Sequence, residues 1–336
     1  MNLLRGAGLN GIATFPAATQ NNFAMSNQQP FFFVMNPGSG NQNAQQTQDT
    51  ISAILSAAGC RYQFMVVEEG SQLITAAQQA VKLAQEQAGA VVAVGGDGTL
   101  NTVSQAVLGT GVPFGVLPQG TFNYFARCYG IPQDTDAATQ CLIDAVIKPV
   151  NVGKLNGKIF LVNASLGLYP QLLEDREAFK QRFGRNRLVA LGAALMTLLK
   201  AHRQLAVQIE YAGEIRTLRT PTIVVNNNAL QLEHIGIDKG DELARNHLVA
   251  ITSTPVSTPA LYGMLLRGLL SRLGEDENLI SFSFEKMTVR LGRGRRRIKV
   301  AMDGEVSYMR SPLEFSVAEH RLPLLVPRDP ALRSQS

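Results

Sequence analysis

The segment Gly95-Gly96-Asp97-Gly98-Thr99 follows a continuous apolar run, Ala90 to Val94. Three glycines let a backbone approach a ligand and turn amide donors toward it, and a helix beginning there adds positive potential. Phosphate suits such a concavity. An aspartate in a bare phosphate nest would repel its ligand, so Asp97 points to a Mg²⁺ ion or to a proton acceptor beside a transferring phosphoryl group. Taken alone, the segment is as readily a tight strand-to-helix turn with Asp97 as a partial N-cap. Two further turns of small residues change the balance: Asn36-Pro37-Gly38-Ser39-Gly40 after the run Phe31 to Met35, and Gly120-Thr121-Phe122-Asn123 after Pro113 to Leu117. In a parallel sheet all three emerge on one edge, which favours a nucleotide site over three unconnected loops. The sequence has no Walker loop, no GxGxxG opening a helix after a strand, and no HRD or DFG set, which excludes P-loop enzymes and protein kinases.

The elements that must position these turns follow from periodicity. Strands are expected at 31–35, 62–67, 90–94 and 113–117, with helices at 71–87 and 100–108 and a polar helix carrying Ile51, Ile54 and Leu55. Strand, Gly-rich turn and helix repeat in this order, the mark of a doubly wound α/β nucleotide-binding domain over 31–148. After Lys148 short β-branched strands take over, at 159–162, 205–209, 222–225, 247–252, 280–284, 287–291 and 297–302, interrupted by helices near 172–202 and 259–273. A mainly antiparallel β-sandwich domain over 149–319 is expected, with the active site in the cleft between the domains. Residues 1–30 lack Asp and Glu, carry Arg5 as their one charge, and read as a mobile leader.

Composition narrows the function. A chain of 336 residues with 45% apolar and 17% charged side chains has room for two domains at about 150 residues each. No uninterrupted apolar stretch reaches the roughly 18 residues of a membrane span, so an integral membrane protein is excluded. The net charge of +5 suits an anionic partner. Cys60, Cys128 and Cys141 lie far apart and the chain has only 4 histidines, against a disulfide framework or a Cys/His zinc site. No basic module interleaved with aromatics appears, so nucleic acid is not an expected partner.

The chain resembles the lipid kinases of the diacylglycerol kinase catalytic-domain type, which include bacterial diacylglycerol kinases and the sphingosine and ceramide kinases. The matching pieces are Asn36 to Gly40, Gly95 to Asn101, Leu117 to Arg127, Asn163 to Leu168 and Asp303-Gly304-Glu305. The resemblance implies transfer of the γ-phosphoryl group of ATP, with Mg²⁺, to the hydroxyl of a lipid at a membrane surface. It further implies that a segment near 320–330 rejoins the first domain. Carried over by position, Asn36, Pro37, Gly38, Ser39, Gly40, Gly95, Gly96, Asp97, Gly98, Thr99, Asn101, Thr121 and Asn123 would hold the nucleotide, mostly through backbone amides. Asp97 would sit by the metal and γ-phosphate. Arg187 matches one of two arginines that flank a glycine in the sphingosine kinase branch, while Gln181 stands in place of the other. The Asp-Gly-Glu segment would supply the proton acceptor, Glu305 as base with Asp303 assisting. On an extended backbone the two acids point to one side; a β-turn with solvated acids is the alternative.

The pattern also has departures. Asn41 stands where many relatives have Lys, Thr102 replaces a common Glu, Tyr124 replaces an Asp, and Asn246 occupies the place of an Asp in a structural Mg²⁺ site, so that second site is not expected. Asn41, Thr102 and Asn246 motivate one alternative, a nucleotide- or lipid-binding pseudokinase; an NAD kinase-like enzyme, which shares Gly-Gly-Asp-Gly, is the other. The run Arg293 to Lys299 has five cations in seven residues and is either a membrane-docking element or a charged edge that blocks aggregation. A cytoplasmic protein bound peripherally at the inner membrane surface is expected, and a homodimer is compatible with the sequence.

Overall fold

The computed structural model describes residues 29–37, 44–174, 204–292 and 296–329. Its N-terminal sheet contains β1 (Phe31–Met35), β2 (Tyr62–Val66), β3 (Ala90–Gly95), β4 (Phe114–Pro118), β5 (Val146–Val150) and β18 (Leu322–Val326), in the order β2-β1-β3-β4-β18-β5. β1 and β3 are apolar and buried at every position, as central parallel strands covered on both faces must be. Helices α1 (Ala44–Ala57) and α5 (Thr135–Ile143) cover one face through Ile51, Leu55, Ala138 and Leu142, and the short α4 (Tyr124–Cys128) follows the turn after β4. On the other lie α2 (Leu73–Glu86) and α3 (Asp97–Val107), which contribute Leu73, Ala77, Leu100 and Val103. The register aligns Met35 with Val94 and Gly95 with Pro118, so β1, β3 and β4 end at one edge. β18 returns from the C-terminal part of the chain, parallel to β4 and antiparallel to β5.

The remaining strands form two six-stranded antiparallel sheets packed face to face. One has the order β10 (Glu214–Thr220), β9 (Leu205–Tyr211), β14 (Lys286–Leu291), β17 (Leu313–Val317), β6 (Gly153–Leu155), β7 (Lys158–Phe160). The other runs β13 (Leu279–Phe284), β12 (Leu248–Ser253), β11 (Thr222–Asn226), β8 (Asn163–Gly167), β15 (Arg297–Met302), β16 (Glu305–Arg310). Val207, Ile209, Ile223, Val225, Val289 and Val300 meet in the core between them. The outer face of the second sheet carries α6 (Ala229–His234) and α7 (Gly240–Ala244), while α8 (Thr258–Leu269) packs through Leu261 on Leu168, just past β8. Architecture therefore matches the expected α/β domain followed by a β-sandwich.

Several elements differ from expectation. β6, β8, β10 and β16 have no clear alternating apolar pattern in the sequence, whereas β17, Leu-Glu-Phe-Ser-Val, alternates plainly and is a strand that the sequence reading omits. β8, Asn-Ala-Ser-Leu-Gly, is a strand because β11 and β15 flank it, a case of neighbours overriding local propensity. Residues 168–174 are helical, and the rest of the helix expected to 202 lies outside the described residues. So do the leader up to residue 28, Gly38, Ser39 and Gly40, Arg182 to Arg187, and Arg293 to Arg295. Among the described residues no helix is long and apolar enough to cross a membrane.

Amide side chains hold the two units together. Asn101 on α3 donates to the Ile159 carbonyl at 3.0 Å, and Gln105, one turn on, accepts the Ile159 N–H at 3.0 Å. Asn227 donates to the Asn151 carbonyl and Asn228 to the Tyr124 carbonyl. Nothing in the sequence marked Asn226-Asn227-Asn228 as a seam, yet all three are buried.

Candidate active site

Helix α3 starts at Asp97, three residues before the apolar periodicity that begins at Leu100. The first turn tolerates Gly98 and Thr99 because its N–H groups make no intrahelical bond. Gly96 is the N-cap, in extended conformation, and as a glycine supplies no side-chain cap, so the helix end keeps positive potential for a ligand. Asp97 is thus the first helical residue and not a capping one. Its Oδ1 is buried without a hydrogen-bond partner. Burial, and secondarily the nearby charge of Asp303, push its pKa from the ordinary carboxylate range up to about 6.

Asp303 and Gly304 do not lie on extended backbone, contrary to the expectation that both acids point to one side. They form the two-residue turn between β15 and β16, closed by the Met302–Glu305 pair, with positive φ at both positions (46° and 91°). Asp-Gly is the sequence such a turn favours, since both central residues must be left-handed. The Asp303 carboxylate accepts four hydrogen bonds: from Asn101 Nδ2 and the Leu161 N–H, both at 2.7 Å, from the Val162 N–H at 2.8 Å and from the Asn163 N–H at 3.1 Å. Burial raises its pKa against the opposing pull of those bonds. Every one of these partners is a donor, which suits an ionised carboxylate, and the group ties the hairpin, the segment 161–163 and α3 into one unit.

Glu305 is exposed, and its Oε1 rests against the Gly98 Cα; a Cβ on Gly98 would collide with it. The hairpin separates two cavities. One, of about 440 Å³, is lined by Glu305, Gly98, Thr102 and Lys158; the other, of about 320 Å³, by Asp97, Phe122, Tyr124, Asn163, Tyr169 and Gln231. Asp303 borders both, whereas Asp97 and Glu305 open onto different ones.

The turn after β4 sits directly against the start of α3. A Cβ on Gly120 would come within 3.3 Å of the Gly96 Cα and 2.6 Å of Asn123 Oδ1, so only glycine fits here. Asn123, left-handed and buried, donates to the Gly120 carbonyl at 3.0 Å and to Gln133 Oε1 at 2.7 Å, and so shapes the turn from within. Thr121 is exposed, on a surface hollow of about 470 Å³ that also includes Gln119, Phe122 and Arg127. Asn36 and Pro37 share a small crevice with Gln119, which brings the first and third turns together. Thr99 is buried, and both amide protons of Asn101 are spent on protein acceptors, so these two stand behind the edge. Gly38, Ser39, Gly40 and Arg187 lie outside the described residues.

Sequence reasoning missed the aromatic lip. Phe122 and Tyr124 stack with ring centroids 6.0 Å apart, and His234 meets Tyr124 edge-on at 5.8 Å. Their alternation after Gly120 was the available signal. Asn163 donates to Gln231 Oε1 at 2.8 Å on the wall of the same cavity.

This architecture is that of solved diacylglycerol kinase-like structures. A diacylglycerol kinase from Bacillus anthracis superposes with a TM-score of 0.70 at 20% identity, over 92% of this chain and 100% of that one. Residues 30–155 match the family described as the diacylglycerol kinase catalytic domain. Among curated proteins it is 34% identical over 156 residues to a diacylglycerol kinase of Bacillus subtilis, covering 44% of this chain and 50% of that one. It is also 27% identical over 291 residues to an uncharacterised protein of Synechocystis, covering 81% of this chain and 65% of that one. The chain thus spans between half and two thirds of the length of these two relatives.

Proposed function

We propose that the protein transfers the γ-phosphoryl group of ATP to the hydroxyl of a lipid. The observation that carries this reading is the half-buried Asp97 at the start of α3, whose Oδ1 is buried without a hydrogen-bond partner and whose side chain borders a cavity also lined by Phe122, Tyr124, Tyr169 and Leu173. The triphosphate lies along the edge where the turns after β1, β3 and β4 meet, held by backbone amides and the α3 terminus. A lipid alcohol enters between the aromatic rings, and its hydroxyl reaches Asp97. An alkyl hydroxyl attacks poorly until a positioned base accepts its proton, and a carboxyl with a pKa near 6 is ionised at neutral pH yet basic enough to do so. Asp97 is therefore the proton acceptor in this account, Asp303 the brace that fixes the hairpin against α3, and Glu305 a neighbour on the far side of Gly98.

Magnesium, when bound with the nucleotide, neutralises charge on the transferring group. Among the described residues no three His, Cys, Asp or Glu side chains cluster as a metal cage. Asp97 is the acidic side chain on this edge that would face the ion. A binding protein without turnover gives no reason to keep a carboxylate oxygen buried without a partner at this place, which disfavours the pseudokinase reading.

ADP release from ATP and Mg²⁺ is expected only when mixed micelles contain a lipid alcohol such as diacylglycerol; equal release without lipid would contradict the reading. The placement of the base has its own test. Because the Glu305 carboxylate is the flexible end of an exposed side chain, Gly98→Ala should shift it aside and change stability by no more than about 0.5 kcal/mol. Both Gly98→Ala and Glu305→Gln should lower kcat by less than about tenfold, against losses of about 10³-fold at a true general base. A loss that large in Glu305→Gln would return the base to Glu305.

A further inference from the structure

The outward face of the β15–β16 hairpin has a composition that neither the fold nor the reaction explains. Arg297 lies directly opposite Arg310 in the cross-strand register, and Lys299 opposite Tyr308. Like charges placed opposite one another on a sheet are destabilising. Arg296, Arg297 and Arg310 are exposed, and among the described residues none of the three has an acidic partner; Lys299 pairs with Glu174 at 2.5 Å. In the midst of these cations Tyr308 stands 59% exposed, with Arg297 and Lys299 each 5.7 Å from its ring centroid. Guarding a sheet edge takes a charge or two, and does not require an arginine pair around an exposed ring.

We propose that this face docks the protein on an anionic lipid bilayer, through Arg296, Arg297, Lys299 and Arg310 on the headgroups and Tyr308 at the interface. The charges complement an anionic leaflet, and a tyrosine with an apolar body and a polar tip suits the headgroup layer. A nucleic-acid groove would ask for the same charge, but the hairpin has another end: its turn is Asp303-Gly304, at the border of the cavity that Asp97 faces. Docking by one end of the hairpin therefore holds the other, and with it the cleft, close to the bilayer from which a lipid alcohol must come. The inference rests on the lipid-kinase reading for its purpose, and its test does not depend on turnover.

The full chain is sedimented, without ATP, with vesicles of phosphatidylcholine and with vesicles that also contain phosphatidylglycerol. Binding is expected only to the second and should weaken with salt. The triple variant Arg296→Gln, Arg297→Gln, Arg310→Gln should lose on the order of 100-fold in partitioning, while keeping its activity on neutral mixed micelles. Equal binding of the triple variant, equal binding of the native protein to both vesicles, or tighter binding to RNA than to anionic vesicles would overturn the proposal. Should the triple variant not fold, Tyr308→Ser leaves every charge in place and should still weaken binding severalfold; unchanged binding would equally sink the idea. Absence of lipid phosphorylation by native protein that binds anionic vesicles in this manner would instead count against the proposed reaction.

Discussion

Asp97→Asn is expected to be inactive and more stable than the native protein. The loss of activity follows from removing the proposed proton acceptor and should be about 10³-fold in kcat/KM. The gain in stability follows from the same burial that makes the residue useful. In the fold its carboxyl holds a proton up to a pH of about 6, against an ordinary value of 3.8. Between those limits the folded chain binds more protons than the unfolded one, so stability falls as pH rises from about 4 to about 6 and is flat above that. Keeping Asp97 ionised at neutral pH thus costs about 3 kcal/mol. An uncharged isostere escapes most of that cost, and its melting temperature should exceed the native one by several degrees at pH 7, with the two converging near pH 4. In the native enzyme kcat/KM should fall tenfold per pH unit below about 6, as the base is protonated. Melting curves of both proteins across this range, beside a pH–rate profile, check the two halves; equal melting temperatures at pH 7 would mean that the carboxylate is not desolvated as described.

Asp303→Ala is expected to have the opposite balance, with a large loss of stability. Four donors converge on this carboxylate. Removing it leaves three backbone N–H groups and the Asn101 amide without their acceptor, at a cost of about 3 kcal/mol or more. Asp303→Asn should be little better, because its amide nitrogen would face donors. Turnover should fall in both variants because the hairpin and α3 lose their common anchor. Denaturant midpoints provide the measurement. Loss of activity in Asp303→Asn with an unchanged midpoint would show that the carboxylate acts on the substrate and not on the fold.

These roles show what the sequence could reveal. β1 and β3 announce themselves because each is wholly apolar and runs into a turn of small residues, and the segments after β1, β3 and β4 meet at one edge of the sheet as that pattern predicts. The division of labour among the acids was not legible. Asp303 and Glu305 are two residues apart, yet a left-handed Asp-Gly turn sends one into the junction of three segments and leaves the other on the surface. Likewise Asn101 resembles a ligand-binding side chain until its protons are seen to go to Ile159 and Asp303. Buried amides at a seam have no period in sequence, and β8 is a strand only by virtue of its neighbours. What hydrophobic pattern encodes was readable; what depends on which donor meets which acceptor across distant segments was not.

The most direct test is transfer of radiolabelled γ-phosphate from ATP and Mg²⁺ into a total lipid extract in mixed micelles, with Asp97→Asn as control. A labelled product that partitions into the organic phase is expected, formed by the native protein and absent with a fully folded Asp97→Asn. Label recovered only in water-soluble products, or an organic product formed equally by the variant, would contradict it.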